Sequence, residues 1–166
     1  MTHTTSSVFS PRIIALFFFA FYGILFVFFT KYTLLTFNQA KVLPLWSTLG
    51  FAILIGGTLG SLFGPSLTYK RSWFTITFIG LAIALITLIA LSIILFIYYY
   101  SHRDSLFINL EGITNYLILA ATVFLSLFFT IGLWLLPLTS FAALYFNRHF
   151  YPGLIKASQK SVNQSQ

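Results

Sequence analysis

In 166 residues this chain carries 58% hydrophobic and 20% aromatic side chains, only 7% charged ones, and a mean hydropathy of +0.94. A domain that faces water on all sides carries about 25% charged residues, so such a surface is excluded and a lipid-facing one is indicated. Nine Lys and Arg against two acids give a formal charge of +7, but the bases stand singly or in pairs at the ends of apolar runs, which reads as a topology signal and not as a nucleic-acid footprint.

Four runs contain no Asp, Glu, Lys or Arg: 13–30, 42–69, 72–101 and 112–147. About 20 apolar residues at 1.5 Å each cross roughly 30 Å of hydrocarbon, so each run supplies one crossing. The fold class expected is an all-α integral membrane protein, a four-transmembrane-helix bundle with short loops. Its helices are expected at about 11–30, 45–63, 73–100 and 116–146, within a single transmembrane domain of residues 1–155.

The first helix opens at Ser10-Pro11, an N-cap residue followed by proline at the first helical position. It runs through Ile13–Phe29 and ends near Lys31 and Tyr32. A signal peptide would share Arg12 and the apolar stretch, but this stretch exceeds the usual 7–15 residues and no small-residue cleavage site follows. A retained helix is expected. The second helix runs over Leu45–Phe63, between Pro44 and Gly64-Pro65. The third, Trp73–Tyr100, spans about 42 Å and must tilt or project. The 101–115 connection places Leu106, Phe107, Leu110 and Ile113 at helical spacing, compatible with a short interfacial helix or an ordinary loop. The fourth helix begins near Tyr116, and Pro137 is expected to kink it, with residues 117–136 making the crossing. Residues 156–166 are polar and rich in Ser and Gln, a composition expected to be disordered. The triplet Asn163-Gln164-Ser165 in this tail reads as chance.

Aromatic residues mark the expected borders: Tyr32, Trp46, Tyr69, Trp73, Tyr98–Tyr100, Tyr116 and Tyr145. Orientation follows from the bases. Arg12, Lys70, Arg71, Arg148, Lys156 and Lys160 fall on one side; Lys31, Lys41 and Arg103 fall on the other, with both acids, Asp104 and Glu111. The excess places both termini in the cytoplasm.

The most distinctive motif is Gly56, Gly60 and Gly64 in the second helix, with Gly57 and Ser61 beside them. Spacing of four puts the three glycines on one face, where another backbone can approach closely. The third helix carries a matching stripe of Thr77, Gly80, Ala84 and Thr87. Packing inside one bundle is the first reading of both stripes, packing between subunits is the second, and a pore lining or flexible gate is the third. In the fourth helix Thr122, Ser126 and Thr130 recur every four residues, which offers either backbone-directed hydroxyls or a polar path.

Chemistry-bearing groups are scarce. No ionisable residue lies in the four apolar cores, which argues against a coupled transporter. The four-helix small multidrug transporters depend on a membrane glutamate, whereas the sole glutamate here is Glu111, in a loop. Zero cysteines exclude disulfides, thiol chemistry and Cys-bound clusters or zinc. His102 and His149 fall on opposite sides of the membrane and His3 lies in the leader, so no cofactor or metal is expected. An outer-face enzyme using His102 and Asp104 is the least favoured reading. Leu67, Tyr69 and Arg71 fit a loose cholesterol-contact pattern, and Lys70-Arg71 beside Trp73 more simply anchor a helix end.

The function expected is that of a non-enzymatic subunit or assembly factor of a larger membrane complex, such as an envelope or secretion complex. It would act through glycine-lined helix packing in a bacterial inner (plasma) membrane. Its partners would be membrane lipids and other transmembrane helices, of its own kind or foreign, and not nucleic acid. The alternative is a small homo-oligomeric channel or uncoupled transporter with the Thr122/Ser126/Thr130 stripe facing a shared path.

Overall fold

The structure, a computed structural model, describes residues 10–34, 45–69, 72–101 and 113–164. Four helical rods are long and apolar enough to cross a membrane. Helix α1 (Pro11–Phe29) ends in a π-helical turn, Thr30–Leu34, and is followed by α2 (Leu45–Thr68) and α3 (Trp73–Ser101). The fourth rod is α4 (Ile113–Leu127), a π-turn at Phe128–Gly132, α5 (Leu133–Tyr145), a second π-turn at Phe146–Phe150, and α6 (Tyr151–Gln164).

Backbone bonds open α1 and α3, and at α1 the Ser10 side chain makes no capping hydrogen bond. Ser10 is extended, and its carbonyl accepts from the N–H groups of Ile13 and Ile14 at 3.0 and 3.2 Å. Pro11 sits where its missing N–H is an orphan in any case. At α3, the Ser72 carbonyl accepts from Ile76 N–H at 3.3 Å, and the hydroxyls of Ser72 and Thr75 are 3.0 Å apart.

Two boundaries differ from the sequence expectation. Helix α2 runs through Gly64 and Pro65 to Thr68 instead of stopping at Phe63. Pro65 removes one ladder bond, but continuing the helix carries Leu67 into the core, where it is fully buried. The fourth rod passes Pro137 as helix on both sides and continues to Gln164, through the segment whose composition reads as disordered. Once a helix is nucleated, each further residue adds a hydrogen bond at little cost, and this tail extends an existing rod. The interfacial segment considered at 101–115 lies, up to Gly112, outside the described residues.

Packing is antiparallel and pairwise. α1 lies against α2 along its length, and α3 lies against the fourth rod. These two hairpins are joined by rings: Phe18 meets Tyr145, Phe146 and Phe150 at centroid distances of 6.4, 5.1 and 4.9 Å, and Phe29 meets Trp134 at 6.1 Å. The main core is Ala15, Phe19, Leu59, Leu67, Ile76, Ile83, Ala143 and Phe146, and a second cluster of Ala84, Leu88 and Leu135 lies farther along α3. The start of α1, the end of α2, the start of α3 and the second π-turn meet at one end of the bundle. Arg12, Tyr69, Trp73 and Arg148 therefore share that end. Outward faces are apolar, with Phe17, Trp46, Leu62, Phe74, Phe78, Leu117, Phe129 and Phe141 all more than half exposed. In water such faces would be a liability; against lipid tails they are matched.

Candidate functional site

The sites singled out by sequence are helix faces, and the geometry shows what each one receives. Along α2 the small residues Ala52, Gly56, Gly60 and Gly64 form one line with a step of four. An added Cβ at Gly56 would lie 2.6 Å from the Phe19 carbonyl oxygen, and one at Gly60 would lie 2.5 Å from that of Ala15. At Gly64 it would meet Ala15 Cβ at 2.8 Å and the Pro11 carbonyl oxygen at 3.1 Å. The obstacles at Gly56 and Gly60 are backbone, which cannot swing aside as a side chain can. Gly57 is different: its Cβ would meet Leu16 at 3.6 Å, an ordinary contact. Ser61 is half-buried on the flank of the line.

Gly23 of α1 completes this interface from the other side, since a Cβ there would approach the Ala52 carbonyl oxygen to 2.9 Å. Sequence reading passed over Gly23 because it is a lone glycine in a phenylalanine-rich run. The available signal was Ala52, which extends the four-residue line by one step, and the matching line Ala15, Phe19, Gly23 in α1.

The second interface joins α3 to α5. A Cβ at Gly80 would meet Ser140 Cα at 2.7 Å and Ala143 Cβ at 3.2 Å, and Ala84 is fully buried. Gly132, also missed in the sequence, ends the first π-turn beneath Leu88, whose Cδ1 a Cβ would meet at 3.0 Å. The hydroxyls of Thr77 and Thr87 donate back to the Trp73 and Ile83 carbonyls at 3.0 and 2.8 Å. Both glycine-bearing faces are thus filled from within the chain.

The hydroxyl stripe of the fourth rod lies on the outside. Thr122, Ser126 and Thr130 are exposed, and Thr122 and Thr130 donate to the carbonyls of Ile118 and Ser126 at 2.8 and 2.7 Å. The stripe does not face the interior of this bundle. Inside, one polar contact between hairpins pairs the Tyr22 and Thr139 hydroxyls at 3.0 Å, with Thr139 only 2% exposed. At the basic end, Asn147 Nδ2 donates to the Leu67 carbonyl, and to that of Tyr69 at 3.1 Å. It thereby closes the C-terminus of α2, where orphan carbonyls would otherwise stand. Nothing in the sequence marks Asn147 except that it is the polar residue ending an apolar run. Among the described residues, no buried side-chain nitrogen or oxygen lacks a hydrogen-bond partner.

A shallow apolar groove of about 390 Å³ runs between α1 and α5, lined by Phe18, Phe21, Tyr22, Leu25, Phe141, Ala142 and Tyr145. It exists because large rings hold these two helices apart. Among the described residues, no three of His, Cys, Asp and Glu gather where they could hold a metal. His149 stacks on Tyr145 at 5.8 Å; His3, His102, Asp104 and Glu111 lie outside the described residues. In the cholesterol-type pattern Leu67 is fully buried in the protein core, which removes it from lipid contact, and Arg71 is outside the described residues. Among the described residues the arrangement is apolar and close-packed, with its buried polar side chains hydrogen-bonded. Comparison with known protein families, curated proteins and solved structures finds no match.

Proposed function

We propose that this chain is a multi-pass integral membrane protein, with both termini cytoplasmic, that serves without catalysis as a subunit or assembly factor of a larger membrane complex. The observation that carries this reading is the division of labour between its faces. The small-residue faces are consumed in building the bundle, while the outward faces of the charge-free runs remain long and apolar, without Asp, Glu, Lys or Arg. A protein built in this way offers its surroundings helix surface and little else. Contact with partners then uses the outward faces of the rods, and the glycine faces act indirectly by setting the bundle's shape. The excess of bases at the Arg12/Arg148 end supports the cytoplasmic placement of that end. A bacterial inner membrane and an envelope or secretion assembly are the setting we favour.

The test is purification from native membranes in mild detergent at native expression level, reading mass and co-purifying proteins. Foreign proteins in fixed stoichiometry are the expected result. A species containing this chain alone would overturn the subunit reading. The channel alternative would then move forward, since its Thr122/Ser126/Thr130 stripe lies outward and could line a path only between copies.

A further inference from the structure

Helix α6 leaves the bundle at Tyr151, whose ring stacks on Phe146 at 6.1 Å. Beyond that point it has two faces. At 100° per residue, Tyr151, Leu154, Ile155 and Ser158 fall on one side, and Lys156 and Lys160 fall on the other. Leu154 and Ile155 are 41% and 37% exposed, and both lysines are exposed. No acid occurs from Tyr151 to Gln164, and the chain's two acids, Asp104 and Glu111, belong to the connection between α3 and α4. That connection leaves the bundle at the end opposite the one from which α6 emerges.

The joint between α6 and the bundle is a weak stretch of the rod. The π-turn Phe146–Phe150 precedes it. Pro152 has no N–H to give the Arg148 carbonyl, and a Cβ at Gly153 would meet nothing within 4 Å. Proline and glycine are the two poorest helix formers, so a bend here sacrifices less than one in a run of ordinary helix formers, and no packing contact at Gly153 opposes it.

We propose that α6 is a hinged surface anchor that turns at Pro152-Gly153 and lies on the anionic leaflet of the membrane its own bundle spans. Leu154 and Ile155 enter the acyl boundary, and Lys156 and Lys160 lie among the phosphates. The inference rests on the membrane reading of the chain. Charge complementarity selects the occupant: a purely cationic amphipathic helix matches an anionic lipid surface. That surface is also tethered within reach, because α6 begins where the rod leaves the hydrocarbon. Each basic residue near such a surface contributes about fivefold to binding, so the lysine pair contributes on the order of 30-fold.

The absence of cysteine makes the test clean. The full chain carrying Ser158→Cys, labelled with an environment-sensitive fluorophore, is reconstituted into vesicles of phosphatidylcholine alone or with about 30% phosphatidylglycerol. Blue-shifted emission is expected in the anionic vesicles only. It should revert to the phosphatidylcholine value in Lys156→Gln/Lys160→Gln and in about 0.5 M salt, which screens the phosphates. Identical emission in the two vesicle types overturns the proposal. A shift that survives loss of both lysines also overturns it. Vesicle flotation separates the two levels: a chain that does not float fails the membrane reading itself, whereas one that floats with charge-independent emission fails only the anchor.

Discussion

At Gly60 the absence of a single methyl group decides how close two helices lie. The Ala15 carbonyl oxygen occupies the place where a Cβ would go, so Gly60→Ala must push α1 away from α2. Overpacking of this kind costs about 1–3 kcal/mol, against the gain of about 1 kcal/mol that alanine brings to a helix interior. Gly57→Ala, three residues earlier, meets only ordinary contact with Leu16 and should be neutral or slightly stabilising for the same propensity reason. Reversible unfolding of both variants in mixed detergent–SDS micelles would measure the contrast; equal effects would show that the close approach does not govern stability. The stripe was legible because a step of four places residues on one face. The receiving residues were not, because a carbonyl oxygen carries no mark in the sequence and Ala15 and Gly23 are dispersed among phenylalanines.

At the level of elements, the rods were legible because runs without charge are long enough to cross a bilayer. Their ends were less so. Gly64-Pro65 and Pro152-Gly153 carry local stop signals, yet α2 and the fourth rod continue through both. For α2 the local preference is overridden by burial of Leu67 and by Asn147, which closes the carbonyls at the helix end. Asn147→Leu leaves those carbonyls without their donor, at a cost of about 1–3 kcal/mol if they stay shielded from water. The local effect should be fraying of the last turn of α2, read as faster proteolytic cutting in the 69–72 connection. Asn147→Asp, which when ionised has no donor to offer, should fray it as well. Unchanged cutting in both variants would mean that Leu67 burial alone holds this turn.

For the molecule as a whole, the charge asymmetry makes a topological prediction that the Cys-free background renders simple to check. Ala157→Cys should be shielded from a membrane-impermeant thiol reagent in intact cells and labelled once the membrane is opened. A cysteine placed at Asn38, in the connection after α1, should react in intact cells. The reverse pattern would invert the bundle while leaving its packing as described.

The three interfaces of this bundle differ in kind. Within each hairpin, backbone lies against backbone or against small side chains at Gly56, Gly60 and Gly80, and sideways displacement there meets a hard clash. Between the hairpins the ring of Phe18 meets those of Phe146 and Phe150 at tilts of 56° and 47°, beside the hydroxyl pair of Tyr22 and Thr139 and the Asn147 bonds to the end of α2. Rings can roll over one another at modest cost, in the manner of the small sliding motions by which packed helices shear. Displacement of one hairpin on the other therefore meets less steric opposition along this layer than displacement within either hairpin, and the Asn147 bonds to the end of α2 tie the two at one end.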